Sequence, residues 1–195
     1  SNEYPENSPY YQSRLYLNDG NGKFTDATLK LLPPITISTG VIKAFDMDGD
    51  QDKDLFIGGR QIPGKYGKSA PSLILKYENG KYIDETIKSC PELLKEFGLI
   101  SCASFADIDQ DKDLDLVVAG EWMSLKILIN DGKGNFEDKS IQWKTDTRSG
   151  WWNCIGAVDL NQDGRLDFIS GNLGLNTKFK ASFQKPFYVY LDDFD

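Results

Sequence analysis

The chain has 195 residues, 39% of them hydrophobic and 27% charged, which is enough apolar material for a folded core and is not the composition of a disordered chain. Its 30 acidic residues exceed its 22 lysines and arginines, and the net charge of −8 argues against a nucleic-acid partner. The absence of histidine excludes Ser-His-Asp and Cys-His catalysis and histidine-ligated zinc, and no apolar run approaches the roughly 20 residues that span a bilayer.

The first predicted elements are two strands joined by a tight turn, and this hairpin occurs three times along the chain. Each copy has Leu, Ile, Tyr or Phe residues on both sides of an Asn-Gly or Asp-Gly turn, and the copies cover residues 15–26, 75–84 and 128–138. Asn-Gly and Asp-Gly favour the positive φ angles of hairpin turns, and the flanking residues have β propensity. The copies recur at a spacing of about 56 residues, which indicates a repeat architecture.

An acidic nine-residue loop also occurs three times, at residues 46–54, 107–115 and 159–167. Apolar residues lead into and out of each loop, so a strand is predicted on either side of it. One repeat is therefore a strand, an acidic loop, a strand, a connection and a hairpin, which together make a four-stranded antiparallel meander. Four strands in a repeat of about 40 to 60 residues predict an all-β fold built of β-propeller blades.

These repeats predict a single, incomplete propeller over residues 1–195. The predicted units are a last blade hairpin at residues 1–30, blades at 40–86 and 101–139, and a truncated blade at 151–195. One short helix is expected in the connection at residues 91–97, because Pro91 favours its start and Gly98 its end.

The predicted ring is open at both ends of the sequence. A strand is expected around residues 187–191, and Asp193 and Asp195 after it look like the first ligands of a fourth acidic loop. A closed ring of about 6 to 8 blades would need roughly 340 to 450 residues, so about 3 to 3.5 blades are predicted here. Exposed sheet edges invite pairing. We therefore expect a missing propeller half in a longer natural chain, or self-association.

Oxygen-bearing side chains stand at positions 1, 3, 5 and 9 of each acidic loop, and position 7 can offer its backbone carbonyl. This pattern suits Ca²⁺ better than Mg²⁺, which needs stricter octahedral geometry, or zinc, which prefers nitrogen and sulfur. The predicted side-chain ligands are Asp46, Asp48, Asp50 and Asp54, then Asp107, Asp109, Asp111 and Asp115, then Asp159, Asn161, Asp163 and Asp167. The predicted carbonyl ligands are those of Asp52, Asp113 and Arg165.

A simpler interpretation is that the loops are solvated acidic turns. Four or five carboxylates within nine residues repel one another unless a cation or protonation relieves them, and three such loops in register favour a cation at each. Gly164 stands at position 6 of the third loop, where the chain must turn sharply, whereas Gln51 and Lys112 stand there in the other two. We expect up to three Ca²⁺ sites, with the third loop filled if only one is.

The DxDxDxxxDL loops and NDGxGxF hairpins resemble FG-GAP, or VCBS, repeats, which are calcium-binding propeller blades also found in integrin α subunits. The segments AGEWM, GWWN and GNLGLN, which begin at residues 119, 150 and 171, resemble bacterial VCBS-repeat proteins often joined to an ASPIC/UnbV domain. This resemblance covers nearly the whole chain and implies a secreted or surface-attached propeller with structural calcium. It implies no catalytic activity, because such propellers serve adhesion, glycan binding and scaffolding as well as a few enzymes.

We therefore expect a calcium-stabilised binding or scaffolding propeller that acts outside the cytoplasm on a protein or glycan ligand, and not an enzyme. The alternative is part of a propeller enzyme that acts on polysaccharide. Such an enzyme would show a cluster of Arg, Lys, Tyr or acidic side chains at one mouth of the ring, separate from the calcium loops.

The tryptophans and cysteines have a functional and a structural interpretation. Stacking platforms for sugar rings are one role for the four tryptophans, but packing between blades is favoured because three of them adjoin predicted strands. Those three are Trp122, Trp151 and Trp152. Cys102 and Cys154 each lie five residues before the first Asp of a loop, so we predict small core residues of equivalent strands.

Overall fold

The structure of the chain is a computed structural model that describes residues 4–95, 97–174, 178, 180–182 and 184–190. The strands are β1 (Tyr16–Asn18), β2 (Phe24–Asp26), β3 (Ser38–Phe45), β4 (Asp54–Gln61), β5 (Leu73–Glu78), β6 (Lys81–Asp84), β7 (Leu99–Ala106), β8 (Asp115–Met123), β9 (Lys126–Asn130), β10 (Phe136–Asp138), β11 (Gly150–Val158) and β12 (Asp167–Asn172). The helices are α1 (Thr28–Leu31), α2 (Thr86–Ser89) and 3₁₀ turns at Pro9–Tyr11 and Pro91–Leu94.

Two four-stranded antiparallel meanders form the centre of the molecule. β3 to β6 pair in chain order to make the first blade, and β7 to β10 pair in the same order to make the second. In both blades an acidic loop joins the first two strands and ends at the first residue of the second strand, Asp54 or Asp115. The antiparallel all-β prediction is confirmed, and the sheets do not close into a ring within the described residues.

The remaining strands form smaller units on either side of the two blades. β1 and β2 make a separate hairpin, and β11 and β12 make another. β11 also pairs with the end of β8, where Trp151 lies opposite Glu121. The rings of Trp122 and Trp151 are 5.7 Å apart, so tryptophans of neighbouring units pack together as predicted.

The core lies mainly between the two blades. The rings of Phe45 and Phe105, from the first strand of each blade, are stacked with centroids 3.8 Å apart. A Cβ atom on Gly40 of β3 would lie 2.2 Å from the carbonyl oxygen of Ile100 in β7, so only glycine allows these strands to approach. The main buried cluster joins side chains of both blades, including Phe56, Ile74, Leu116, Leu128 and Phe136.

Two local expectations differ from the structure. The predicted helix at residues 91–97 is a 3₁₀ turn over Pro91–Leu94, because the Leu93 carbonyl accepts a hydrogen bond from the Ser72 N–H (2.8 Å) and is not free to continue a helix. Residues 187–190 form no strand, since they make no ladder of backbone hydrogen bonds with a described strand, and Leu191, Asp193 and Asp195 lie outside the described residues.

The cysteine prediction is half right. Cys102 is buried in β7, as expected for a core residue. Cys154 lies in the equivalent strand, β11, but it is exposed. The described part of the chain places no second sheet over that face of β11 and β12. Cys154 is therefore exposed although its position in the strand is equivalent to that of Cys102.

Candidate metal centres

The carboxylate at position 9 closes each acidic loop in the same way. It accepts a hydrogen bond from the backbone N–H of position 2 in all three loops: Met47 to Asp54 Oδ2 (3.0 Å), Ile108 to Asp115 Oδ2 (2.8 Å) and Leu160 to Asp167 Oδ2 (3.0 Å). The other oxygen of Asp54 accepts from Tyr77 N–H (2.8 Å), and that of Asp115 from Asn130 N–H (2.9 Å). The carboxylates at position 9 therefore stabilise the loop conformation through these hydrogen bonds. Only their remaining lone pairs are available to a cation.

The loop backbone is left-handed at positions 4 and 6 in every copy. The φ angles are 76° and 72° at Gly49 and Gln51, 68° and 79° at Gln110 and Lys112, and 61° and 83° at Gln162 and Gly164. The sharp turn predicted at position 6 is therefore present in all three loops, also where the residue is not glycine. The second loop has no glycine at either position, so its backbone is the most strained, at a cost of about 1 kcal/mol per residue.

In the first loop, a lysine from a neighbouring strand enters the acidic group. Carboxylate oxygens of Asp46, Asp48 and Asp50 lie within 4.8 Å of one another, close enough to share one cation. Lys76 of β5 donates a hydrogen bond to Asp48, and its Nζ is 3.8 Å from Asp50 Oδ2. Burial pushes the pKa of Asp48 up, but the hydrogen bond and charge of Lys76 outweigh burial and leave the pKa below its usual value.

In the second loop, carboxylate oxygens of Asp107, Asp109 and Asp115 also lie within 4.8 Å of one another. Burial raises the pKa of Asp115 to about 6, against the stabilising N–H bonds that it accepts. Burial and the neighbouring charge of Asp111 raise the pKa of Asp109. These shifts have the direction expected of a carboxylate group that lacks a positive partner.

The third loop is held by its own arginine. The guanidinium of Arg165 donates to Asp163 Oδ2 (2.6 Å), and the amide of Asn161 donates to the same oxygen (3.1 Å). The hydrogen bond from Arg165 lowers the pKa of Asp163. Asp159 accepts the backbone N–H of Gly164 (2.9 Å), as Asp46 and Asp107 do at position 6 of their loops. That this loop fills first stays a prediction.

The predicted ligands at positions 5 and 7 are joined by hydrogen bonds within each loop. The carboxylate at position 5 accepts the N–H of position 7 at 2.9 Å in every copy: Asp50 from Asp52, Asp111 from Asp113 and Asp163 from Arg165. Asp111 does not belong to the second group of converging oxygens. The carbonyl role of the three residues at position 7 stays a prediction.

One residue that the sequence analysis missed links the first two loops. Asn130 gives its backbone N–H to Asp115 of the second loop, and its side-chain amide donates to the Met47 carbonyl of the first loop (2.8 Å). Its side-chain oxygen accepts the N–H of Gly134 (3.1 Å) in the hairpin turn. The first loop is therefore completed by the hairpin of the second blade.

The family follows from a match to a known repeat. A sequence model of the FG-GAP-like repeat matches residues 7–57 and 107–170, which contain all three acidic loops. The chain belongs to the FG-GAP-like repeat family. The family implies a β-propeller-like fold, in agreement with the two antiparallel blades. No curated protein matches the chain.

Two acidic groups of this FG-GAP chain, those of the first and second loops, could hold a metal ion. Each of these two groups offers three carboxylates on a turn closed by backbone hydrogen bonds, and hard cations bind oxygen ligands of this kind. Among the described residues, no helix is long and apolar enough to cross a membrane.

Each FG-GAP hairpin is followed by a pair of side-chain-to-backbone hydrogen bonds, the latch, that the sequence analysis did not identify. An Asp accepts the N–H of a Thr or Ser two residues later, and the hydroxyl of that residue accepts a backbone N–H at 2.9 Å. The pairs are Asp26 with Thr28, Asp84 with Thr86, and Asp138 with Ser140. All three hydroxyl residues are buried, and the D-x-[TS] spacing that repeats after each hairpin is the signal that would have found them.

A polar and aromatic cluster lies at the end of the FG-GAP blades opposite the acidic loops. The carboxylate of Glu121 is buried, pairs with Arg60 and accepts the hydroxyl of Tyr66 (2.7 Å). The indole N–H of Trp122 donates to the same hydroxyl (3.0 Å). Trp122 has a φ of 60°, an uncommon backbone conformation for a bulky residue. This cluster joins the ends of β4 and β8.

Proposed function

We propose that this FG-GAP chain is a calcium-stabilised binding or scaffolding module that acts outside the cytoplasm and is not an enzyme. The observation that carries the proposal is the group of Asp107, Asp109 and Asp115 in the second loop. Three carboxylates converge there, and the described residues place no lysine or arginine nitrogen within 4.0 Å of them. A divalent cation would relieve this repulsion, and its effect would be on stability because the loop lies between two strands of one sheet.

The location outside the cytoplasm is inferred from the cation. Extracellular calcium modules bind with dissociation constants of about 10⁻⁴ to 10⁻³ M, so they are filled only where calcium is abundant. A propeller that depends on several such loops would be stable outside the cytoplasm.

A protein or glycan ligand is proposed for the end of the blades that carries Arg60, Tyr66, Glu121 and Trp122. Glu121 lies six positions after Asp115 along β8, which is about 20 Å of extended chain, so a ligand there would not touch the cation. The exposed ring of Tyr66 offers stacking surface and Arg60 offers charge-assisted hydrogen bonds, both of which suit sugars and protein side chains. The ring of Trp122 already packs against Trp151 and Phe187.

Thermal unfolding with and without calcium tests the proposal. At about 1 mM Ca²⁺ each site of that affinity adds roughly 0.4 to 1.4 kcal/mol to the free energy of unfolding, or about 1 to 5 °C in Tm. EDTA should remove this increment, and Asp109→Asn should lose most of it. An unchanged Tm after EDTA would contradict the calcium part of the proposal.

The second candidate is part of an enzyme that acts on polysaccharide. Arg60, Tyr66 and Glu121 are the kind of cluster expected of such an enzyme, but both oxygens of Glu121 are already engaged by Arg60 and Tyr66. Release of reducing sugar from a polysaccharide by the native chain, abolished by Glu121→Gln, would favour this candidate over the binding module. Binding of a polysaccharide without release of sugar would favour the module.

A further inference from the structure

The first two acidic loops differ at one position of the strand that runs beside them. Leu75 of β5 and Leu128 of β9 occupy equivalent positions, because each pairs with the residue that follows the ninth carboxylate of its loop. The next residue is Lys76 in the first blade and Ile129 in the second. The same place beside the loop therefore holds a charged side chain in one blade and an apolar one in the other.

Lys76 brings a positive charge into the first loop. Its ammonium bonds Asp48 and lies 3.8 Å from Asp50 Oδ2, so it contacts two of the three carboxylates that converge there. The lysine side chain is only 22% exposed and that of Asp48 only 15%, so solvent screens this contact less than it would a surface ion pair. The Lys76 ammonium thus already supplies a positive charge within the first loop.

The second loop has no such partner among the described residues. Asp107 Oδ1 is buried there without a hydrogen-bond partner. Asp48 Oδ1 in the first loop is also buried without a hydrogen-bond partner, but Asp48 Oδ2 accepts a hydrogen bond from Lys76. A divalent ion that enters the first loop must therefore share or displace the ammonium, and one that enters the second loop has no competitor.

We propose that Lys76 is the resident counter-cation of the first acidic loop, so that this loop does not depend on a divalent ion and the second loop does. The inference rests on the proposed function for the divalent ion, but not for the ion pair itself. The residues at position 6, Gln51 and Lys112, do not distinguish these two loops, and Lys76 does.

Calcium titration by isothermal calorimetry tests the competition. Lys76→Met should raise the Ca²⁺ affinity of the first loop by about tenfold or more, because the ammonium no longer opposes the ion. Lys53→Met is the matched control. Lys53 is exposed at position 8 of the same loop and forms no ion pair with a described residue, so its loss changes the net charge equally and should change the affinity by less than about threefold.

Three further substitutions assign the sites. In the native chain Asp109→Asn should abolish the tightest Ca²⁺ binding and Asp48→Asn should leave it, whereas in the Lys76→Met background Asp48→Asn should remove the gained site. Ile129→Lys should weaken the second loop. Equal losses from Asp48→Asn and Asp109→Asn in the native chain, together with no greater gain in Lys76→Met than in Lys53→Met, would overturn the inference and leave the proposed function standing.

Unfolding in EDTA separates the inference from the proposed function. Without metal, Lys76→Met should lower Tm by about 2 to 4 °C more than Lys53→Met, because it leaves the carboxylates of the first loop without a counter-charge. If no variant binds Ca²⁺, the proposed function fails. The EDTA measurement then decides on Lys76 alone: a larger loss in Lys76→Met supports it as the counter-cation, and an equal loss overturns it.

Discussion

The first two repeats and the third have similar sequences and very different burial. Phe56, Val117 and Ile169 stand at equivalent positions, two residues after the ninth carboxylate, and are 0%, 0% and 62% exposed. Phe56 is covered by side chains of the second blade. Ile169 faces no described sheet. The face of a blade is thus buried by the blade that follows it, and hydrophobic patterning within one repeat does not by itself give a core.

Truncation of equivalent side chains should give the largest difference in the free energy of unfolding. Phe56→Ala should lower the free energy of unfolding by about 3 to 5 kcal/mol, because it leaves a cavity between two blades. Ile169→Ala removes a mostly exposed side chain and should cost less than about 1 kcal/mol. Urea unfolding of both variants gives the two values. Similar losses would show that the third repeat is packed as tightly as the first.

Burial also changes the titration of Asp115, the ninth carboxylate of the second loop. Asp115 is fully buried, and its pKa of about 6 in the folded chain lies above the ordinary 3.8. The folded chain therefore holds this proton more tightly, so the contribution of Asp115 to stability is greatest at low pH and falls by about 3 kcal/mol as pH rises from about 4 to about 6.

Carbon-13 NMR of labelled aspartates in EDTA measures this titration directly, and calcium should lower the midpoint of Asp115. Asp138 is an internal control. Burial opposes its ionisation, but its hydrogen bonds with Ser140 and its contact with Lys126 prevail and lower its pKa. A titration midpoint for Asp115 as low as that of Asp138 would contradict the expectation that burial raises the pKa of Asp115 when no cation is bound.

The latch after the fourth strand of a blade should have an intermediate effect. Thr86→Ala or Ser140→Ala leaves a buried backbone N–H without its acceptor, and we expect a loss of about 1 to 3 kcal/mol in the free energy of unfolding. Thr25→Ala, at an exposed position of β2, is the control and should change it by less than about 0.5 kcal/mol. Thermal unfolding suffices for the measurement.

The smallest expected effect concerns the strained loop backbone. Lys112→Gly should stabilise the second loop by about 1 kcal/mol, because glycine adopts a φ of 79° without steric cost. Gly164→Ala should destabilise the third loop by a similar amount, since its φ is 83°. Opposite signs in a chemical unfolding assay are the expected result, and a destabilising Lys112→Gly would show that the lysine side chain contributes more than the backbone strain removes.

Much of the fold could be predicted from the sequence because the repeats carry local signals. The Asn-Gly and Asp-Gly turns and the acidic loops locate most strands, and the positive φ at Gly164 follows from its residue type. Contacts between distant residues have no such signal. Lys76 meets Asp48 only through the register of β5, and Asn130 meets Met47 only when two blades pack, so the electrostatic differences between the loops became evident only in the structure.

The link between Asn130 and Met47 also has a consequence for folding during synthesis. The acidic side chains of the first loop are all present once residue 54 has been made, yet the amide that anchors its Met47 carbonyl arrives with residue 130. Chains are made from the amino terminus onward. The first loop therefore gains its last anchoring hydrogen bond only after the hairpin of the second blade has been made, so its folding during synthesis is completed one blade late.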